Sequence, residues 1–169
     1  MAAPEFNVEG VKGNVKSNIQ AHVDFANEKC DLPAWRQRGL LRSTEQNTRN
    51  ALKALGYYQP QVKTQFEKTE KCWKITSTVT LGEPVLIEAV AIQILGPAAQ
   101  DSAFDKVKRH EGLVIGERLE HGHYEKTKSD LVQVAADRGY LLSELTEHRL
   151  EIDVPERKAY IRLTLESGP

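Results

Sequence analysis

The chain has 169 residues, of which 40% are hydrophobic and 28% charged, and its formal net charge is −1. Those values place it among globular chains of one ordinary domain or two small ones. The near-neutral balance argues against bulk nucleic-acid binding, which needs a basic face, and no apolar run approaches the ~18 residues of a membrane helix. The charge is uneven: Met1 to Pro84 holds 12 Lys/Arg against 9 Asp/Glu, whereas Val85 to Pro169 holds 11 against 15. Opposite signs, +3 and −4, support two units.

Met1-Ala2-Ala3-Pro4 leads straight into EFNVEGV without a signal peptide. This leaves two readings, a cytoplasmic protein or a mature chain carrying a start Met. Phe6 and Val8 alternate up to Gly10, the pattern of a strand. Val15, Ile19, Val23 and Ala26 then recur at near-helical spacing behind Asn14, a good N-cap. A second helix is expected from Ser43, with Gln46 completing a capping box, through Ala51, Leu52 and Leu55 to Gly56, where a left-handed turn ends it. Val62, Thr64 and Phe66 alternate, KTEK turns the chain, and Trp73, Ile75, Val79 and Leu81 alternate again, which reads as a hairpin.

The second half repeats this grammar. Val90, Ile92 and Ile94 alternate up to Gly96, and SAFDKVKRH reads as a short helix. A longer helix runs from about His123 to Arg138, with Tyr124, Leu131 and Ala135 on one face, and stops at Gly139. Leu150, Ile152 and Val154 alternate, PERK turns the chain, and Ala159, Ile161, Leu163 and Leu165 alternate. Leu145 is out of phase with Leu150, so a bulge or break is expected between them. Gly10 and Gly96 lie 86 residues apart, Gly56 and Gly139 83, and Pro84 and Pro169 85. The unit is therefore β-α-α-β-β and occurs twice, over residues 4–84 and 85–169. The chain stops where a third unit would begin, which reads as a piece of a longer protein.

Topology follows from strand directions. The first and third strands of a unit are parallel neighbours, and the second pairs antiparallel with the third. A right-handed crossover puts both helices on one face. The expected fold class is α+β, with a three-stranded mixed sheet in the order 1-3-2 covered by two antiparallel helices in each unit. Cys30 and Cys72, the only cysteines, both fall at the bottom of the first unit. A disulfide would close a loop of about 43 residues and stabilise a thin core by roughly 4 kcal/mol, and would favour an exported protein. Two unrelated buried thiols are the alternative.

A tandem β-α-α-β-β unit of this size resembles the POTRA domains that precede the barrel of Omp85-type outer-membrane proteins. ALKALGYYQP, a hairpin and TLGEPVLI resemble the first such unit of the TamA family. Ile115-Gly116, Leu119, Gly122, Tyr124-Glu125 and Gly139-Tyr140 fall at the spacing of its second. The resemblance covers nearly the whole chain, although the cysteines and the DLPAWRQRGLLR connection are not general features of that family. It implies the periplasm of a Gram-negative bacterium, a further POTRA unit and a C-terminal barrel in the full-length chain. It also implies a TamB-like inner-membrane partner, unfolded outer-membrane client proteins, and a role in outer-membrane protein assembly and autotransporter secretion.

The residues offer a mechanism in the sheet edges, whose unpaired N–H and C=O groups can accept another strand. The second strand of each unit is the candidate partner-binding edge: Gln61, Val62, Lys63, Thr64, Gln65, Phe66 and Glu67, and Thr146, Glu147, His148, Arg149, Leu150, Glu151, Ile152 and Asp153. The competing reading is a merely solvated edge, whose outward charges keep it from sticking. Trp35, Arg36, Arg38, Leu40, Leu41 and Arg42 make a basic, aromatic connection that either touches a partner or folds back onto the helices. His121 and His123 lack the i, i+4 spacing of helical zinc ligands and an evident third ligand. There is no phosphate loop or nucleophile elbow, so no catalytic residue, metal or cofactor is expected. The alternative to an assembly factor is a non-catalytic docking or spacer module of another secretion or division protein.

Overall fold

Strand side chains alternate between faces, so Phe6 and Val8 share one side of β1 (Glu5–Glu9). In the computed structural model, which describes residues 2–169, β1 leads into α1 (Gly13–Ala21), α2 (Ala34–Ala54), β2 (Gln61–Lys68) and β3 (Trp73–Thr80). The second half contributes β4 (Leu86–Leu95), 3-10 turns at Gly96–Gln100 and Ser102–Phe104, α3 (Asp105–Lys108), α4 (His121–Asp137), β5 (Glu144–Asp153) and β6 (Lys158–Glu166). The chain divides into two compact units, Met1–Pro84 and Val85–Pro169.

Each unit has a three-stranded mixed sheet, in the orders β1-β3-β2 and β4-β6-β5. The outer pairs β1–β3 and β4–β6 are parallel, and β2–β3 and β5–β6 antiparallel. This is the expected 1-3-2 topology. The hairpin strand at the centre must be the third, because only it runs with the first and against the second.

In the first unit, register lines up Phe6, Ile75 and Phe66 across the sheet, then Val8, Ser77 and Thr64. The core falls into two apolar clusters. Ile19, Ala51 and Leu52 meet Val8 and Val79, while Leu40 meets Trp73 and Ile75. Between them lie hydroxyls: Thr48 Oγ1 donates to Thr44 O at 2.7 Å and lies 3.2 Å from Ser77 Oγ. The buried Trp73 ring sits 5.0 Å from Phe25 and 5.4 Å from Phe66, and its Nε1 donates to Lys29 O at 2.9 Å. Beside it Cys30 and Cys72 are joined in a disulfide, with Cα atoms 4.6 Å apart.

Helix boundaries differ from the sequence reading in both units. Asn14 does not cap α1; it lies inside the helix, and Lys12 takes the cap position without a side-chain bond. The helix ends at Ala21, before Val23 and Ala26, because Asp24 Oδ1 accepts from Ala26 N at 2.8 Å and turns the chain. The expected capping box at Ser43 is not used either. The connection from Ala34 to Arg42 is helical, so α2 runs 21 residues, and Ser43 Oγ donates to Leu40 O at 3.2 Å. Pro33 suits the entry to the first turn, and burying Leu40 against Trp73 and Ile75 offsets the cost of Gly39 in a helix interior, about 1 kcal/mol. In the second unit the first helix shrinks to the four residues of α3 plus the 3-10 turns. α4 spans His121–Asp137 instead of 123–138.

α2 and α4 end alike. Gly56 N donates to Lys53 O at 2.9 Å and Tyr57 N to Leu52 O at 2.9 Å; Gly139 N donates to Ala136 O at 3.0 Å and Tyr140 N to Ala135 O at 2.9 Å. Both are Schellman closures, which need a left-handed residue, and the glycine φ values are +91° and +83°.

Candidate interaction edges

A three-stranded sheet has two edges, and within each unit they are not equivalent. β1 is only five residues long. In the second unit the segment before α4 straps the start of β4: Ile87 N donates to Glu117 O at 2.9 Å, Gly116 N to Ile87 O at 2.8 Å and Leu119 N to Val85 O at 2.9 Å. That strap occupies backbone groups a guest strand would use there. Further along, β4 shifts register between Ile87 and Ala89, a break not anticipated from the sequence.

β2 is the plainest edge. Its eight residues pair with β3 without a register shift, from Gln61 opposite Thr80 to Lys68 opposite Trp73. Val62, Thr64 and Phe66 are half-buried toward the helices, while Gln61, Lys63, Gln65 and Glu67 are exposed. Alternate residues of an antiparallel edge strand turn both backbone groups away from the partner strand. Arg49 fixes where this edge begins, donating through Nη1 to Pro60 O at 3.2 Å while Glu45 Oε1 holds its Nη2 at 3.1 Å. Glu67 reaches Lys74 across the pair at 3.5 Å.

β5 is longer and better defended. It begins at Glu144, two residues before the sequence reading placed the edge, and its register breaks between Leu145 and Glu147, leaving Thr146 unpaired in a bulge. That is where the phase change of Leu145 required one. After it, Leu150 and Ile152 face the core strand β6 at Ile161 and Ala159, whereas His148 is exposed opposite Leu163. The outer face carries Glu147, Arg149, Glu151 and Asp153, with Arg149 Nη1 donating to Glu151 at 3.2 Å and Thr164 Oγ1 to Glu147 at 3.4 Å. A bulge and dense charge are both devices that discourage strand addition.

The entry to β5 is anchored by Asp101, a residue the periodicity did not single out. Its carboxylate accepts from Ala103 N at 2.9 Å, Arg138 Nε at 3.0 Å and the Tyr140 hydroxyl at 2.9 Å. These bonds, the one from Ala103 N first, hold its pKa below the usual carboxylate range, and the same carboxylate raises that of Tyr140. Tyr140 also lies 6.2 Å from the Phe104 ring, while Tyr57 packs against the first unit's core. Just past this anchor Leu141 and Leu142 are 83% and 74% exposed.

The remaining sequence candidates are dispersed. Leu40 folds back and is buried, whereas Trp35, the second residue of the same helix, is 66% exposed. His123 Nε2 lies 3.0 Å from Glu120. Burial lowers the pKa of His121. Among the described residues no three His, Cys, Asp or Glu side chains gather as a metal site. Where α3 falls short against α4, a groove of about 730 Å³ opens, with Lys106 and Asp130 among its walls.

Comparison with known proteins gives this geometry a context. Residues 5–81 match the family model described as "POTRA domain TamA domain 1". Among solved structures, the chain is similar to POTRA domains 3–5 of BamA from Haemophilus influenzae, at 14% identity and a TM-score of 0.54 over 99% of this chain and 66% of that one. It is also similar to POTRA domains 1–2 of the periplasmic domain of Omp85 from Anabaena, at 16% identity and a TM-score of 0.46, over 99% of this chain and 95% of that one.

Proposed function

We propose, from the premise that this chain is a tandem pair of POTRA domains whose first is of the TamA domain 1 type, that it is the periplasmic interaction region of a TamA-like outer-membrane assembly factor. POTRA domains of Omp85-family proteins are periplasmic, non-catalytic protein-interaction modules. In this reading the partners are a TamB-like inner-membrane protein and unfolded outer-membrane clients, and the barrel belongs to the same full-length chain. The means of contact is addition of a partner strand to β2.

The observation that supports this best is the state of the β2 edge: eight residues in unbroken register, no covering segment among the described residues, and only Lys63 and Glu67 as charges on its exposed face. The β5 edge is bulged and more heavily charged, so it serves second. Main-chain hydrogen bonds give such a complex its affinity, and the half-buried row of Val62, Thr64 and Phe66 gives it register.

The test exploits the alternation of the strand. Adjacent residues point their N–H groups in opposite directions, so of Val62→Pro and Lys63→Pro one removes an outward donor and the other a ladder bond. A photoreactive residue at Gln65 in the full-length protein is expected to crosslink to an inner-membrane protein or a client chain. The folded member of the proline pair, identified by circular dichroism, should lose that adduct. An undiminished adduct from the folded variant rejects strand addition at β2.

A further inference from the structure

α2 carries a second surface, on the side away from the sheet. Leu40, Thr44, Thr48, Ala51 and Leu52 are its buried residues. Trp35, Arg38 and Arg42 follow the i, i+3, i+7 spacing that puts residues on one helix stripe, and this stripe is opposite the buried one. Trp35 is 66% exposed and Arg38 and Arg42 are exposed. Gly39 sits between them with nothing within 4 Å of where its Cβ would be, leaving a shallow gap beside the indole.

The charges on this helix are not balanced from within. α2 holds Arg36, Arg38, Arg42, Arg49 and Lys53 against one acidic residue, Glu45. The first unit's +3 excess therefore resides on this helix. Arg36 is paired with Glu28 and Arg49 with Glu45, but neither Arg38 nor Arg42 forms an ion pair among the described residues. A large exposed Trp flanked by two free Arg has the composition of interface hot spots, and the free guanidiniums call for carboxylates.

We infer that the Trp35–Arg38–Arg42 stripe of α2 docks an acidic segment of a partner protein, with the indole filling an apolar recess and the two arginines engaging its carboxylates. A bilayer is the weaker occupant. A helix lying in a membrane needs a broad apolar face, and here Trp35 is the only large exposed apolar side chain on α2. Two free arginines also fall short of the four to eight basic residues, roughly, that mark an anionic-lipid site. The stripe is separate from the β2 edge, so one partner engaging both would clasp the first unit from two sides.

The experiment places a photoreactive residue at Gly39 in the full-length protein in its own cell envelope, since that position has room for a side chain. The expected product is a protein adduct whose crosslinked peptide, read by mass spectrometry, is rich in Asp and Glu. Its yield should fall about tenfold or more in Trp35→Ala and in the Arg38→Glu/Arg42→Glu double variant. It should also weaken as salt rises from 50 to ~500 mM, where screening is strong. All three side chains are exposed, so each variant should keep its fold, which circular dichroism checks. No adduct, an adduct to phospholipid, to a second copy of this chain or to a neutral or basic segment, or a yield unmoved by charge reversal overturns the proposal. The Gln65 adduct is read in the same variants. Its persistence when the Gly39 adduct is lost separates failure here from failure of strand addition.

Discussion

Asp101 shows how much one side chain can organise. Its carboxylate ties the start of the second 3-10 turn, the end of α4 and the tyrosine before β5 into one node. Because these bonds favour the charged form, its pKa is lower folded than unfolded. It therefore contributes stability that is fully present above the unfolded carboxylate value, about 3.9, and lost as pH falls through the depressed folded value. Asp101→Asn should accordingly melt below the wild type by a constant margin near neutral pH, and that margin should shrink on acidification below about pH 4. Thermal melts of both proteins from pH 7 to pH 2 check it; a margin independent of pH would remove the charge from the explanation. Little in the sequence pointed to Asp101. Its partners stand 2, 37 and 39 positions away, and only folding brings the distant two to it.

At the scale of elements, repeated punctuation carried real information. Gly56 and Gly139 stop their helices in the same Schellman closure, with φ of +91° and +83°. At Gly139 an added Cβ would meet no atom within 4 Å, so Gly139→Ala isolates the backbone term. It should destabilise the second unit by about 1–2 kcal/mol, the penalty of a left-handed L-residue, in urea titration. A loss much above that would mean the closure also governs the β5 edge. Strand phases were legible too: the misplaced Leu145 announced the bulge that the register shows. Helix starts were less so. Capping residues at Asn14 and Ser43 suggested boundaries that packing overrode, since Leu40 gains more by lying against Trp73 and Ile75 than the helix loses by including Gly39.

At the scale of the whole molecule, the two units share a topology but not their means of support. The first has a 21-residue helix, a core divided by a hydroxyl layer, and a disulfide. The second has no cysteine and a first helix of one turn, and relies on the apolar β6 row Ala159, Ile161, Leu163 and Leu165. Closing 42 residues of chain is worth roughly 4 kcal/mol by chain entropy. Reduction, or Cys30→Ser with Cys72→Ser, should thus destabilise the first unit by about that amount and leave the second where it was. Hydrogen exchange read separately on β3 and β6 distinguishes them, and equal loss of protection in both would contradict an independent second unit.

The amino-acid sequence by itself determined the repeat, the strand order and the two helix stops. Those depend on short-range rules: alternation in strands, a left-handed residue after a helix, and the direction in which each strand must run. Only the tertiary structure decided which edges are open. The strap from Gly116 to Leu119 over β4, the tether from Arg49 to Pro60 and the exposure of Trp35 beside a buried Leu40 all involve groups distant in the chain or on opposite faces of one helix. Periodicity tells which side chains share a face. What covers that face is settled by the packing of the other elements, and in this chain that is what leaves β2 and the outer stripe of α2 free.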